Sequence, residues 1–393
     1  MLSYFHAFFK SFFYFNIFWS NGLFSLEKKS AEEYNVFSKI GGTIIMFKKS
    51  IIALLCFSFI FLTACSFGKK KTDNATKKTK SEVETPVEEP KDTGINNLTG
   101  LLIPEEKQNL RPVAVMINNM NIAQPVQCSV NKADIVYETE VEGGITRLMA
   151  VFKDIASVDR IGPIRSARYP YVDLALGHNA VYYHCGQDPT YCAPHLKDIE
   201  DISIDTGVFG GTRIQNGLSK EHTLYSNGDK LFEGLSTKKF STTLDSNEPW
   251  QTFGKPEEEI SLTGGACNKV TVPFSGSYKT VFAYDAAKGK YTRYFGADLR
   301  KDYVTGETTD VKNVFVLMTS IVNYPDGKHR KVYLDSGDGY YFVNGTYTAI
   351  RWSKGSSKAS VKITDAAGNP VKVNAGNSWV CIANTSTSKP IIE

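Results

Sequence analysis

The sequence predicts an α+β protein in two folded parts: an α/β-like N-terminal sheet domain with helices on its faces, then a mostly β C-terminal domain. Three observations predict this. Aromatic residues make up 12% of the 393, with 20 Tyr and 24 Phe, and flat side chains pack well on pleated surfaces. Residues 95–248 mix alternating apolar runs with helical punctuation. Residues 261–393 carry short strand-like runs at regular spacing, separated by turn residues. The chain is long enough for two parts with real cores. Its composition is ordinary for a globular protein, 42% hydrophobic and 22% charged, and a net charge of +4 is too small to argue for nucleic acid.

In the first part, RPVAVMINN (111–119) reads as a buried strand opened by Pro112. ADIVYETEVEGG (133–144) is a strand ending in a Gly-Gly turn, and TRLMAVFKD (146–154) is its hairpin partner. YPYVDLALGHN fits a short helix, with Pro170 in its first turn and Gly177 as its stop. AVYYHCG (180–186) is a further strand and APHLKDIE (193–200) has a helical look. Residues 249–260 connect to the second part. There KVTVPFS, KTVFAYDAAKGKYTRYFG, NVFVLMTSIVNY, GYYFVNGTYTAIRW and SVKITDAAGNPVKVNAG supply strands. Asn344-Gly345 between alternating aromatic stretches signals a type I′ hairpin. SGDGYY (336–341) reads as a tight turn.

The N-terminal region speaks of compartment rather than fold. Met46 to Cys65 has a basic start (Lys48, Lys49), an apolar run from Ile51 to Leu62, and Leu62-Thr63-Ala64-Cys65. That is the order of a bacterial lipoprotein signal, and its apolar run is short of the ~20 residues a span needs. The expected outcome is thioether lipidation of Cys65, cleavage before it, and anchoring on the outer leaflet of the cell membrane. Residues 1–45, with 11 aromatics between Tyr4 and Phe24, read as an extension ahead of the true start or as an extra hydrophobic segment. Residues 65–94 form a tether, lysine-rich and then acidic, with nothing apolar to bury.

Several stretches resemble one family. RPVAVMINN, NKADIVYETEVEGGITRLMAVF, GPIRSAR, KEHTLYSN and GYYFVNGTYTAIRW with DAAGNPVKVNAGNSWVCI are similar to the YerB family of bacterial lipoproteins, over roughly residues 96 to 385. The resemblance implies a lipid-anchored extracytoplasmic protein with an N-terminal and a C-terminal domain. It implies no reaction. Near HCGQDP, where the family has a small residue and a serine, this chain has Cys185 and Asp188.

The candidate site lies in the first part. Glu138, Glu140 and Glu142 alternate on one strand and face one side if regular pairing continues. Arg147, Arg165 and Arg168 supply planar charged forks suited to carboxylate or phosphate. His184 and His222 can move protons near neutral pH. The ligand-binding set is therefore Glu138, Glu142, Arg147, Arg165, Arg168, His184 and His222, with Glu142, His184 and His222 as the catalytic candidates. The plainer alternative is that these acids and arginines pair with one another and fix loop geometry. Cys185 and Cys192 are a candidate disulfide, suited to an oxidising location, or two free thiols. With His184 and His195 they are acceptable zinc ligands at an unusual spacing, and no metal or cofactor is expected.

These readings lead to a membrane-anchored lipoprotein on the extracellular face. It would bind a cell-wall polymer or an envelope protein through an Arg/Glu/His cleft. The alternatives are an envelope hydrolase or lyase using Glu/His acid–base chemistry, and a structural accessory of a membrane-bound assembly.

Overall fold

The computed structural model describes residues 93–393. The signal at 46–64, Cys65 and all but the last residues of the linker lie outside the described residues. No helix among the described residues is long and apolar enough to cross a membrane.

The centre is an eleven-stranded sheet. Its N-terminal half runs Ile135–Glu140, Thr146–Phe152, Val113–Asn118, Val181–His184, Asp201–Ser203 in spatial order. Its C-terminal half runs Ser378–Asn384, Asn313–Thr319, Ser336–Val343, Thr346–Ser353, with Gly265–Ala266 at the edge and Lys362–Thr364 beside Thr346–Ser353. The hydrogen bonding does not follow the division of the sequence into 95–248 and 261–393. Ser378–Asn384 lies parallel to Asn313–Thr319 on one side, Asn313 opposite Ser378. It lies parallel to Ile135–Glu140 on the other, Ser378 opposite Ile135. This seam strand is buried from Ser378 to Ala383. A strand covered on both faces has no need to alternate, so WVCIA reads as one apolar run.

Each face of the sheet has its own core. Val136, Leu148, Trp379 and Cys381 point to one side. There a six-stranded antiparallel sheet, built on Lys269–Pro273, Lys279–Asp285 and Lys290–Phe295, covers them with Val272, Phe282 and Tyr291. Helix Gly228–Thr237 adds Leu231 and Leu235 to the same side. Ile135, Tyr137, Met149, Val380 and Ile382 point to the other side, onto helix Tyr169–Leu176 and Trp250.

These are the only two α-helices among the described residues. The molecule is thus more sheet-rich than the expected α/β-like layer with helices on its faces, because a second sheet takes much of one face. The Tyr169–Leu176 helix forms where expected: Arg168 enters it extended, Pro170 sits in its first turn, and Tyr171, Val172, Leu174 and Ala175 are buried. APHLKDIE, expected as a helix, makes only a 3-10 turn over His195–Asp198 before Ile199 turns extended. Asn344 and Gly345 both have positive φ, 50° and 70°, the backbone a type I′ turn requires. SGDGYY is not a turn but the start of a strand. A Cβ on Gly337 would lie 2.2 Å from Met318 O, and one on Gly339 2.5 Å from Val316 O, so the glycines serve close strand approach instead.

Candidate functional site

The structure divides the seven expected site residues among four places. Glu138 is sealed inside. Its Oε1 accepts from Asn119 Nδ2 (3.1 Å), Thr146 Oγ1 (2.8 Å) and Thr280 Oγ1 (2.9 Å), and its Oε2 from Trp379 Nε1 (3.0 Å). Arg293, fully buried, lies over the Trp379 ring at 4.5 Å and donates to Asn119 Oδ1 at 3.0 Å. Burial pushes the Glu138 carboxyl up, and Arg293 and these donors oppose the shift. With four donors on its two oxygens and no exposed surface, Glu138 ties the two sheets together and is closed to any ligand.

Arg165 and His222 form a second group. Arg165 Nη1 donates to Glu221 O (3.2 Å) and Oε2 (3.3 Å). Asn118 Nδ2 donates to His222 Nδ1 at 2.7 Å, and His222 Nε2 meets Glu221 Oε1 at 3.3 Å. Burial, with Arg165 nearby, pulls the His222 imidazole below its ordinary value, against Glu221. His184 stands apart again. Its Nε2 is 2.9 Å from Asp201 Oδ2 and its Nδ1 2.8 Å from Gly186 O, so both nitrogens face acceptors.

The remaining three do meet. The Ile135–Glu140 strand ends at Glu140, and Gly143 and Gly144 turn the chain with φ of 72° and 69°. Glu142, in that turn, leaves the side that Glu138 occupies and swings to Arg168. Arg168 grips both its oxygens, Nε on Oε2 at 2.9 Å and Nη2 on Oε1. Arg147 Nη2 approaches Oε1 at 3.6 Å, and its Nη1 donates to Ser166 O. Burial pulls both arginines below their ordinary range.

The Glu142–Arg168 fork lines a narrow cleft, with free space of about 10 Å³, together with Glu140, Tyr169, Asp188, Tyr191, Cys192, Tyr324, His329 and Arg330. The last three belong to the hairpin Ile321–Asn323/Arg330–Val332 and its turn, supplied by the C-terminal part. Tyr169 Oη clamps this hairpin by donating to Val332 O at 2.6 Å. Tyr191 and Tyr324 stack at 3.8 Å and 15°, with His329 5.4 Å from Tyr191. His329 Nδ1 sits 2.6 Å from Asp326 Oδ2 and its Nε2 3.6 Å from Asp188 Oδ1. Arg330 Nη2 pairs with Glu140 Oε1 at 2.6 Å.

Sequence reasoning passed over Tyr191, Tyr324, His329 and Arg330. The one local signal was the polar turn PDGKHR at 325–330, and nothing near it tells which part of the fold it covers. A larger open hollow of about 630 Å³ around Arg111 and Glu200 has no aromatic lining, and its arginine is already paired with Glu200.

Cys185 and Cys192 are free thiols, not a disulfide. Cys185 packs on the core facing the six-stranded sheet, while Cys192 belongs to the core on the opposite side. Burial pushes the Cys192 thiol up to about 12, which keeps it protonated and inert. Among the described residues no group of three or more His, Cys, Asp or Glu side chains is placed to hold a metal ion.

Comparison with known proteins agrees with this architecture. Residues 98–241 match the family "Protein of unknown function (DUF3048) N-terminal domain", and residues 270–380 match its C-terminal domain. The chain is 27% identical to "Putative lipoprotein YerB" of Bacillus subtilis (strain 168) over 344 residues, 86% of this chain and 96% of that protein. The chain belongs to the YerB family. The crystal structure of YerB protein from Bacillus subtilis is similar to this fold with a TM-score of 0.65. At 24% identity it covers 76% of this chain and 99% of that one. In this YerB-family chain the two family segments meet through the strand pairing of 378–382 with 135–139.

Proposed function

We propose that the protein is held on the outer leaflet through acylated Cys65 and binds a cell-envelope component in the Glu142/Arg168 cleft. The lipobox Leu62-Thr63-Ala64-Cys65 and the Bacillus subtilis relative named as a lipoprotein support the anchor. The binding reading is carried by one observation: a carboxylate–guanidinium fork faces two stacked tyrosines and a histidine in a single cleft. Planar charged groups and hydroxyls at a cleft wall can exchange their internal partners for those of a hydroxyl-rich or charged ligand, and the rings offer apolar faces beside them.

Acid–base catalysis is the second reading, and His329 beside Asp188 favours it. His184 and His222 do not, because both ring nitrogens of each sit within 3.3 Å of a protein partner, whereas His329 Nε2 meets only Asp188 among the described residues, at 3.6 Å. One experiment separates the readings. The full chain in detergent is incubated with purified insoluble cell wall; the pellet is assayed for protein and the supernatant by mass spectrometry. Retention in the pellet without new soluble fragments is the expected result. New fragments establish the enzyme, and neither retention nor fragments leaves the structural-accessory reading.

A further inference from the structure

Leu101-Leu102-Ile103-Pro104 is a run of four apolar residues, none of them buried. Leu101 is 40% exposed and Leu102 49%. Ile95, 50% exposed, lies directly opposite Leu102 in the antiparallel hairpin Gly94–Ile95/Leu102–Ile103, so the two side chains share one face. Phe253, half-buried, packs against Gly100 in the turn of the same hairpin. A surface run of this kind is unfavourable in water and marks a place that meets something else.

The exposure is built in and does not come from a loose segment. The turn between the two strands is sunk into the body. Asn96 Nδ2 donates to Asp134 Oδ1 at 2.8 Å, and Lys153 Nζ to Asn97 Oδ1 at 3.0 Å. Trp250 Nε1 donates to Leu98 O at 2.8 Å, and Gly376 N to Thr99 O at 2.8 Å. Leu98, in that turn, is 1% exposed. Among the described strands the two pair with each other alone. The body therefore grips the turn and holds the apolar strands outward.

We propose that this hairpin seats its aliphatic side chains in the outer leaflet of the membrane, beside the lipid anchor. This rests on the anchor at Cys65 proposed above and adds a second membrane contact to it. Two arguments choose the bilayer as the occupant. First, the described chain begins at Thr93, one residue before the hairpin, and residues 66–92 are all that separate it from Cys65. The surface that receives the anchored segment can meet the bilayer without that segment passing around the body, and tethering raises the local concentration of whatever the tether is fixed to. Second, strands of two residues each offer far less area than the about 1,200 Å² of a stable protein–protein interface. A few aliphatic side chains are enough to rest at the lipid boundary. The charged residues that follow, Glu105 and Glu106, are acidic and exposed. The contact is therefore apolar burial and owes nothing to attraction by anionic headgroups.

The acylated full chain is reconstituted into phosphatidylcholine vesicles, with or without phosphatidylglycerol. Cys185, the one free thiol among the described residues that is not buried, is first removed by Cys185→Ser. A polarity-sensitive dye is then attached through Leu102→Cys or, as a control, through Val304→Cys, which is 55% exposed in a turn of the C-terminal part. A side chain seated ~5–10 Å into the headgroup–acyl boundary meets bromines on the lipid chains, so brominated lipid should quench the dye at 102 at least about threefold more than the dye at 304, with either lipid composition. Leu101→Ser together with Leu102→Ser, read by a dye attached through Ile95→Cys, should remove at least about half of the quenching there, because the apolar surface that drives the contact is gone. No quenching at 102 on chains that stay with the vesicles overturns the hairpin contact while the anchor stands. A blue shift at 102 without quenching gives the patch to a protein partner or a second copy, and overturns it equally. So does quenching that is the same at 102 and 304, or that needs phosphatidylglycerol. Chains that leave the vesicles altogether bring down the anchor reading itself.

Discussion

Glu138 and Glu142 lie four residues apart and were expected to share one hollow, yet they ended in opposite settings. Glu138 is fully buried, its oxygens held by four uncharged donors. Glu142 keeps 28% of its side chain exposed and is held by charged forks from Arg168 and Arg147. A carboxylate held by neutral donors in a sealed site is architecture. One set between two cations at a cleft edge has an opposing charge to spare, and only there can a ligand compete. The difference comes from where the strand stops. Up to Glu140 the sheet dictates direction; beyond it, the Gly143-Gly144 turn lets Glu142 reach the opposite face.

Three measurements break or sharpen this contrast. The largest effect belongs to the sealed site. Glu138→Ala leaves Arg293 buried without its counter-charge and should cost about 3–5 kcal/mol in denaturant unfolding; a loss under about 1 kcal/mol would show that Glu138 does not hold the sheets together. Arg168→Lys should act the other way round. A lysine cannot reproduce the two-point grip on Glu142. Affinity for purified insoluble cell wall should drop roughly tenfold, the scale of one charge-assisted hydrogen bond, with stability changed by no more than about 1 kcal/mol. Equal losses of stability in both variants would erase the distinction.

The smallest effect is a pH slope. Lys153 and Lys354 are both about 2% exposed, and burial pulls each ammonium from 10.5 down to about 8. Between these values the unfolded chain holds the extra proton, so each lysine's contribution to stability rises with pH through that window. Below pH 8 each is charged in both states and its cost is fully felt. Lys153→Met removes one of the two. The stability of the variant relative to the unsubstituted chain should therefore fall as pH rises from about 8 to 10.5, read from urea midpoints. A flat difference across that range would mean that Lys153 is not held in a sealed environment.

Much of the fold could be read residue by residue. The Ile135–Glu140 and Thr146–Phe152 hairpin, the helix behind Pro170 and the Asn344-Gly345 turn all formed where pattern and punctuation placed them. The candidate site was legible only in part. Glu142, Arg147 and Arg168 converge as expected, because all three lie within one compact stretch. Arg165, His184 and His222 found closer partners in Glu221, Asp201, Gly186 and Asn118. Glu138 was claimed by Thr280, Trp379 and Arg293, residues far away in the chain.

Taken alone, the amino-acid order settled where strands turn and which runs are apolar, since alternation, proline and glycine act on the backbone within a few residues. Tertiary structure alone decided that Ser378–Asn384 would join the two family segments, which carboxylate would be sealed, and that the 321–332 hairpin would wall the cleft. Those choices depend on which surfaces remain uncovered once the whole chain has packed, and no short stretch carries that information.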